Sequence, residues 1–249
     1  MFLFDIGGIL VKDGAVPFDY WRAVVQKHFS LQASRNDIPT SGKPDRQILA
    51  ELLKLHGIQD PEGDPRFLPA LGDVGRIVKD GLRGVRLAPI ENVESLVTRL
   101  LEERHCVGLL TGNTYEKARV KLENAGLWKY FAFGAFGDQA SVRSVLVSVA
   151  MRAAAQRLGT PFSSSDVYLV GDTVRDIRCA REAGVKIIAV ATGADSFSEL
   201  AREKPDFIFR DFKDPALIVE SVLREKPRPM AAAILSRSTR TCSPAGRFA

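Results

Sequence analysis

Five short runs of apolar, β-branched and aromatic residues constrain the fold more than anything else in this chain of 249 residues. They are Phe2–Asp5, Cys106–Thr111, Phe131–Phe136, Val167–Gly171 and Lys186–Thr192, with a sixth, shorter run at Asp206–Phe209. Each is continuous rather than alternating, as expected of strands buried on both faces. Between them lie helical patterns at Tyr115–Asn124, Ser144–Leu158, Arg175–Ala183 and Ser196–Glu203. The first follows Asn113-Thr114, which can cap a helix start, and the first three stop at Gly126, Gly159 and Gly184. Strands alternating with helices of this length predict βαβ units and a doubly wound parallel sheet with a Rossmann-like core, an α/β fold.

One interval breaks the alternation. From about Val16 to Gly84 there is no strand signal, only helical patterns at Tyr20–Ser30, Asp45–His56 and about Phe67–Leu82. This predicts an all-helical cap, residues 16–84, inserted after the first strand of a core made of residues 1–15 and 85–225. A cap placed there would cover the carboxyl edge of the sheet as a lid. Only four residues precede Asp5, short for a central strand of about five to six residues, which suggests a late start or a frayed sheet edge.

Charge is unevenly spread. Five of the 35 basic residues and none of the 30 acidic ones fall between 226 and 249, so residues 1–225 carry equal numbers of each. The whole net charge of +5 lies in that Pro-, Ser- and Arg-rich tail, which reads as a disordered extension. The neutral body gives no reason to expect a nucleic-acid partner. No apolar run reaches the roughly 18 residues of a membrane span, and no charged-then-apolar leader precedes the first strand, so a cytoplasmic protein is expected. The three cysteines are scattered and read as thiols rather than a disulfide or metal site. The oligomeric state is not readable.

Chemistry-bearing residues gather where strands end. Asp5 closes the first run and is followed by Gly7 and Gly8, a carboxylate on a glycine-rich turn that can face a ligand crevice as a nucleophile. Thr111 closes the second, and Gly112-Asn113 opens a helix whose free N–H groups can hold an anion. Arg143, just before the long helix, offers a fixed cation for a phosphoryl oxygen. Asp172 ends the fourth run and Asp176 follows four residues on; with Asp5 they supply the hard oxygen ligands that Mg²⁺ prefers. Each feature alone is a weak or moderate signal; their common place at strand ends and helix starts is the strong one.

In that order the residues resemble the four motifs of the haloacid dehalogenase superfamily, and with the helical insert they resemble its phosphoglycolate-phosphatase-like branch. The resemblance runs from Met1 to about Lys213. It implies that Asp5 is the nucleophile, Thr111 and Arg143 steady phosphoryl oxygens, and Asp172 and Asp176 hold Mg²⁺ together with Asp5 and a backbone carbonyl at Gly7. It implies a small phosphorylated substrate and an aspartyl-phosphate intermediate. The first motif departs from DxDGT at two positions, with Gly7 replacing the second Asp and Ile9 the Thr; Arg143 replaces the usual Lys. The second Asp of the motif serves such enzymes as general acid and base, so slow turnover of alkyl phosphates is expected. The alternatives are a degenerate phosphate- or partner-binding protein of the same fold, and a hydrolase of carbon–phosphorus or carbon–halogen bonds. The carbon–phosphorus type uses a cap lysine; Lys43 and Lys54 are available and read as surface residues. Asp13, further along the first loop, reads as a turn-capping residue.

Overall fold

The computed structural model describes residues 1–12, 16, 18–159 and 161–224. Asp13 and the basic tail, Cys242 included, lie outside the described residues. After β1 (Phe2–Phe4) come four helices, α1 (Tyr20–Phe29), α2 (Asp45–Leu55), α3 (Phe67–Gly81) and α4 (Val93–Glu102). Strand and helix then alternate: β2 (Val107–Leu110), α5 (Tyr115–Asn124), β3 (Gly134–Ala135), α6 (Arg143–Leu158), β4 (Tyr168–Gly171) and α7 (Val174–Ala183). The last elements are β5 (Lys186–Val190), α8 (Phe197–Arg202), β6 (Phe207–Phe209) and α9 (Pro215–Arg224).

The six strands form one parallel sheet in the order β3-β2-β1-β4-β5-β6. β1 therefore lies at the centre, paired with β2 on one side and β4 on the other, and is not a frayed edge. Its side chains alternate across the sheet. Phe2 and Phe4 enter the apolar cluster on one face, while Leu3 enters the second cluster, under α6 and α7, on the other. Burying side chains of this size contributes about 1.5–3 kcal/mol each. The chain runs outward from β1 through β2 to β3, then returns to β4 beside β1. That reversal of direction opens a crevice at the carboxyl ends of β1 and β4.

Several strands are shorter than their apolar runs. Thr111 and Thr192 lie just beyond β2 and β5, and Asp5 and Asp172 just beyond β1 and β4. β3 shrinks to Gly134–Ala135 because it is an edge strand paired only with β2 and because the chain turns at Gly137, whose N–H bonds the Asn113 carbonyl at 2.8 Å. Arg143 is the first residue of α6, not the residue before it. The sequence reading passed over α4 and α9, two amphipathic helices that pack together beside β2, with Leu96, Val97, Ile218 and Val222 buried.

The helices after β1 share an unbroken apolar cluster with one face of the sheet; Trp21, Leu49, Phe67 and Val74 belong to the same cluster as Phe4 and Leu109. α3 lies close against α5, where a side chain at Gly75 would overlap Glu116. A buried polar knot ties the same segments. Lys117 Nζ, on α5, donates to Asp45 Oδ1 on α2 and to the Tyr20 hydroxyl on α1, both at 2.8 Å. Asp45 Oδ2 accepts from Thr114 N at 2.7 Å, and Asp45 N donates to the Gly112 carbonyl at 2.6 Å. The first turn of α2 is thus fastened to the loop between β2 and α5. Among the described residues, no helix is long and apolar enough to cross a membrane. Cys106 and Cys179 are free thiols, the second buried.

Replacing Lys117 by Met leaves the Asp45 carboxylate buried without its counter-charge. The expected loss is about 3–5 kcal/mol of stability, read from urea unfolding. A loss near that of an exposed ion pair, about 1 kcal/mol or less, would show that this knot does not hold α1 and α2 to the core.

Candidate active site

The turn after β1 is built by backbone bonds and apolar burial. Leu10 N and Val11 N both donate to the Ile6 carbonyl, Gly8 N donates to the Val11 carbonyl, and Ile6, Ile9, Leu10 and Val11 are fully buried. Ile9 thus anchors the turn by packing, where a hydroxyl would have done so by hydrogen bonding. Gly8 has a φ of +71°, and a Cβ there would overlap Asp172 Oδ2. Glycine is required on both counts.

Asp172 is held from the opposite side by the loop after β5. Ala194 N donates to Asp172 Oδ2 at 2.9 Å, and the Thr192 hydroxyl donates to the Gly8 carbonyl at 2.6 Å. A Cβ on Gly193 would overlap Asp172 Oδ2 as well. Sequence reasoning missed this loop; its signal was a Thr-Gly pair straight after a buried strand.

Asp176 belongs to the first turn of α7. It forms a capping box with Thr173: Oδ2 accepts from the Thr173 hydroxyl at 2.7 Å and from Thr173 N at 3.1 Å. Its other oxygen, Oδ1, accepts from Arg143 Nη2 at 2.6 Å. The same nitrogen lies 3.2 Å from Asp5 Oδ2, so Arg143 bridges the two carboxylates. All four groups, Asp5, Arg143, Asp172 and Asp176, are buried. Burial pushes the Asp5 carboxyl above its ordinary value; Arg143 opposes this and Asp176 adds to it.

Carboxylate oxygens of Asp5, Asp172 and Asp176 all lie within 4.8 Å of one another. Three carboxylates against one guanidinium leave a formal charge of about −2 in a dry site. Asp5 Oδ1 is buried and has no hydrogen-bond donor. An oxygen-only donor set with that residual charge and an unbonded carboxylate oxygen fits a hard divalent cation.

Thr111, Gly112 and Asn113 lie between β2 and α5. The Thr111 hydroxyl accepts from Asn113 N at 3.2 Å and from Asn113 Nδ2 at 2.7 Å. Gly112 is pressed against the Lys43 carbonyl and Arg143, leaving no room for a side chain. Asp5, Gly7, Gly112, Asn113, Arg143 and Asp172 all line one cleft of about 440 Å³, within the range of small-molecule sites. Thr111 is fully buried behind it, and Asp176 supports Arg143 from below.

The opposite wall comes from the helical segment and α5, and includes Tyr20, Arg35, Lys43, Asp45, Lys117 and Lys121. This corrects the reading of Lys43 as a surface residue: its side chain is 8% exposed and ion-paired with Glu51, because the Lys43 backbone is docked against Gly112. Lys54 is exposed, as expected. Burial works against the charge on Lys117, but Asp45 and Tyr20 outweigh it and hold the amine above the ordinary lysine value.

Known proteins resemble this chain in sequence and in fold. The family model described as HAD-hydrolase-like matches residues 142–215. A protein named "Probable phosphatase IndB" from Dickeya dadantii is 25% identical over 233 residues, 92% of this chain and 97% of that protein. A phosphoglycolate phosphatase from Synechococcus elongatus is 27% identical over 153 residues, 61% of this chain and 68% of that one. Among solved structures, a hydrolase from Pseudomonas syringae superposes with a TM-score of 0.62 at 16% identity, covering 90% of this chain and 98% of its own, a likeness of fold. The chain is thus similar in sequence to phosphatase-like members of the haloacid dehalogenase superfamily.

Adding Mg²⁺ is expected to raise the melting temperature. A hundredfold excess over Kd corresponds to about 2.7 kcal/mol. Scanning fluorimetry with Mg²⁺ or EDTA measures it, and Asp172→Asn should remove most of the shift. A shift that persists in that variant would place the cation elsewhere.

Proposed function

We propose that the chain hydrolyses the phosphate group of a small phosphorylated metabolite, with Asp5 as nucleophile and an aspartyl-phosphate as intermediate. The observation that carries this reading is the Asp5 carboxylate, fixed by Arg143 at the crevice of the sheet, with one oxygen unbonded and a cleft in front of it. An Asp5 oxygen attacks phosphorus in line, the bond to the leaving oxygen breaks, and water then releases phosphate from Asp5. Arg143, the Thr111 hydroxyl and the backbone at Gly112 and Asn113 orient the phosphoryl oxygens. Asp5, Asp172, Asp176 and the Gly7 carbonyl would hold Mg²⁺, whose charge offsets that of the phosphoryl group. Residues 16–84 serve as a cap on the core of residues 1–15 and 85–225, with α2 seated on the loop that binds the phosphoryl group. The cap excludes water from the reacting centre. The names of the two relatives support phosphatase chemistry on a small substrate.

Gly7 favours a second reading, a protein that binds phosphate without turning it over. Hydrolysis of a carbon–phosphorus bond is less well supported, since the amine of the buried Lys43 is committed to Glu51. The three clustered carboxylates speak against metal-free carbon–halogen chemistry.

A phosphate-release assay with Mg²⁺ separates the first two. Asp5→Asn is expected to abolish release, and release that survives it would remove Asp5 from its role. Gly7→Asp adds a positioned acid and should raise turnover of an alkyl phosphate by about 10²–10⁴-fold. A folded Gly7→Asp protein that stays inert favours the binding reading.

A further inference from the structure

We propose that the substrate is a phosphoric anhydride whose leaving group departs as an oxyanion, and that Arg35, with Lys117, forms the cradle receiving that anion. The proposal rests on the phosphohydrolase reading and adds the class of leaving group.

The first support is the sorting of charge between the two walls of the cleft. The sheet-edge wall carries Asp5 and Asp172 with Arg143. From the helical segment and α5, the described lining residues Arg35, Lys43 and Lys117 stand with one carboxylate, Asp45. Asp45 is committed to Lys117, and Lys43 is committed to Glu51. Lys117 has three donors, of which Asp45 and Tyr20 take two. Arg35 sits in a short 3₁₀ turn, Arg35–Asp37, held by its backbone N–H on Asp19 Oδ2 at 3.2 Å. Its guanidinium forms no ion pair with any described carboxylate. A planar fork of fixed charge facing a cleft matches the two oxygens of a carboxylate or phosphate.

The second support is the lack of a proton donor. Gly7 has no side chain to give one. Among the described lining residues, Arg35, Lys43 and Lys121 are basic, and Asp45 is ion-paired with Lys117. Burial keeps the Tyr20 phenol above its ordinary value, and Lys117 is likewise held protonated. A general acid works best with a pKa near the operating pH. No side chain among the described lining residues is therefore poised to protonate an alkoxide as it departs. A carboxylate or a phosphate needs no proton, because its conjugate acid has a pKa of about 4 or about 6.

Both features belong to the same cleft of about 440 Å³, lined by Asp5 and by Arg35, so one small molecule can meet both. The step balances without an added acid. An Asp5 oxygen forms a bond to phosphorus, and the bridging P–O bond breaks with its electron pair on the leaving oxygen. The leaving group departs as phosphate from a diphosphate, or as carboxylate from an acyl phosphate. Water then adds its oxygen to the phosphorus of the aspartyl-phosphate, frees the Asp5 carboxylate and gives its proton to the released phosphate or solvent.

The test is steady-state hydrolysis by the Mg²⁺-supplied full chain of inorganic pyrophosphate, acetyl phosphate, ethyl phosphate and p-nitrophenyl phosphate. Turnover of pyrophosphate or of acetyl phosphate is expected, and identifies the diphosphate or the acyl source; ethyl phosphate should be nearly inert. Arg35→Ala should lower kcat/KM for the anhydride by about 10²-fold, with p-nitrophenyl phosphate much less affected. Arg35→Lys should recover part of the loss. Asp13→Asn should leave anhydride turnover unchanged. Ethyl phosphate turned over as well as pyrophosphate, equal losses on both substrates in Arg35→Ala, or a loss in Asp13→Asn each overturns the proposal. Phosphate release that is untouched by Asp5→Asn defeats the phosphohydrolase reading instead. The cradle also has a readout free of turnover: in Asp5→Asn, pyrophosphate should raise the melting temperature more than phosphate does, and adding Arg35→Ala should erase that difference. Equal shifts from the two anions would sink the cradle whatever the activity.

Discussion

The Arg143 guanidinium between Asp5 and Asp176 is the interaction on which the rest of the site depends. Three carboxylates this close cannot share a dry pocket without a counter-charge. Arg143 supplies part of it through one nitrogen that meets both Asp5 and Asp176. The arrangement is possible because α6 begins at Arg143 and brings its first turn beneath the sheet edge, against the first turn of α7. The charge left over is of the sign and size that a divalent cation could offset.

Small residues let the backbones around these carboxylates come together. Gly8, Gly171 and Gly193 each lie where a side chain would strike Asp172 or Asp176. Loops from three neighbouring strands, β1, β4 and β5, therefore converge on one point. On the other side, Asp45 uses its N–H, its carboxylate and its partner Lys117 to dock the helical segment onto the loop after β2. Packing of α3 on α5 makes the same attachment apolar.

The cleft so formed has two unlike walls. The sheet edge offers carboxylates and one bridging arginine, while the helical wall is dominated by fixed cations.

Much of this was legible before any coordinates. The apolar runs and glycine stops dictated a parallel α/β sheet, because burial on both faces leaves no polar alternation. Asp5, Thr111, Arg143, Asp172 and Asp176 stood out as candidates because ligand-facing groups in such sheets collect at strand ends. Strand lengths were overestimated, since an apolar run continues past the last ladder bond into buried turn, as at Phe131–Phe136. α4 and α9 were missed because no βαβ alternation pointed to them. What only the tertiary structure decided were relations between distant segments. The burial of Lys43, the Asp45–Lys117–Tyr20 knot, the Thr192–Ala194 support of Asp172 and the exposure of Arg35 to the cleft join residues far apart in the chain. Local periodicity carries information over a turn or a strand; which charge meets which across the cleft is set by how whole elements pack.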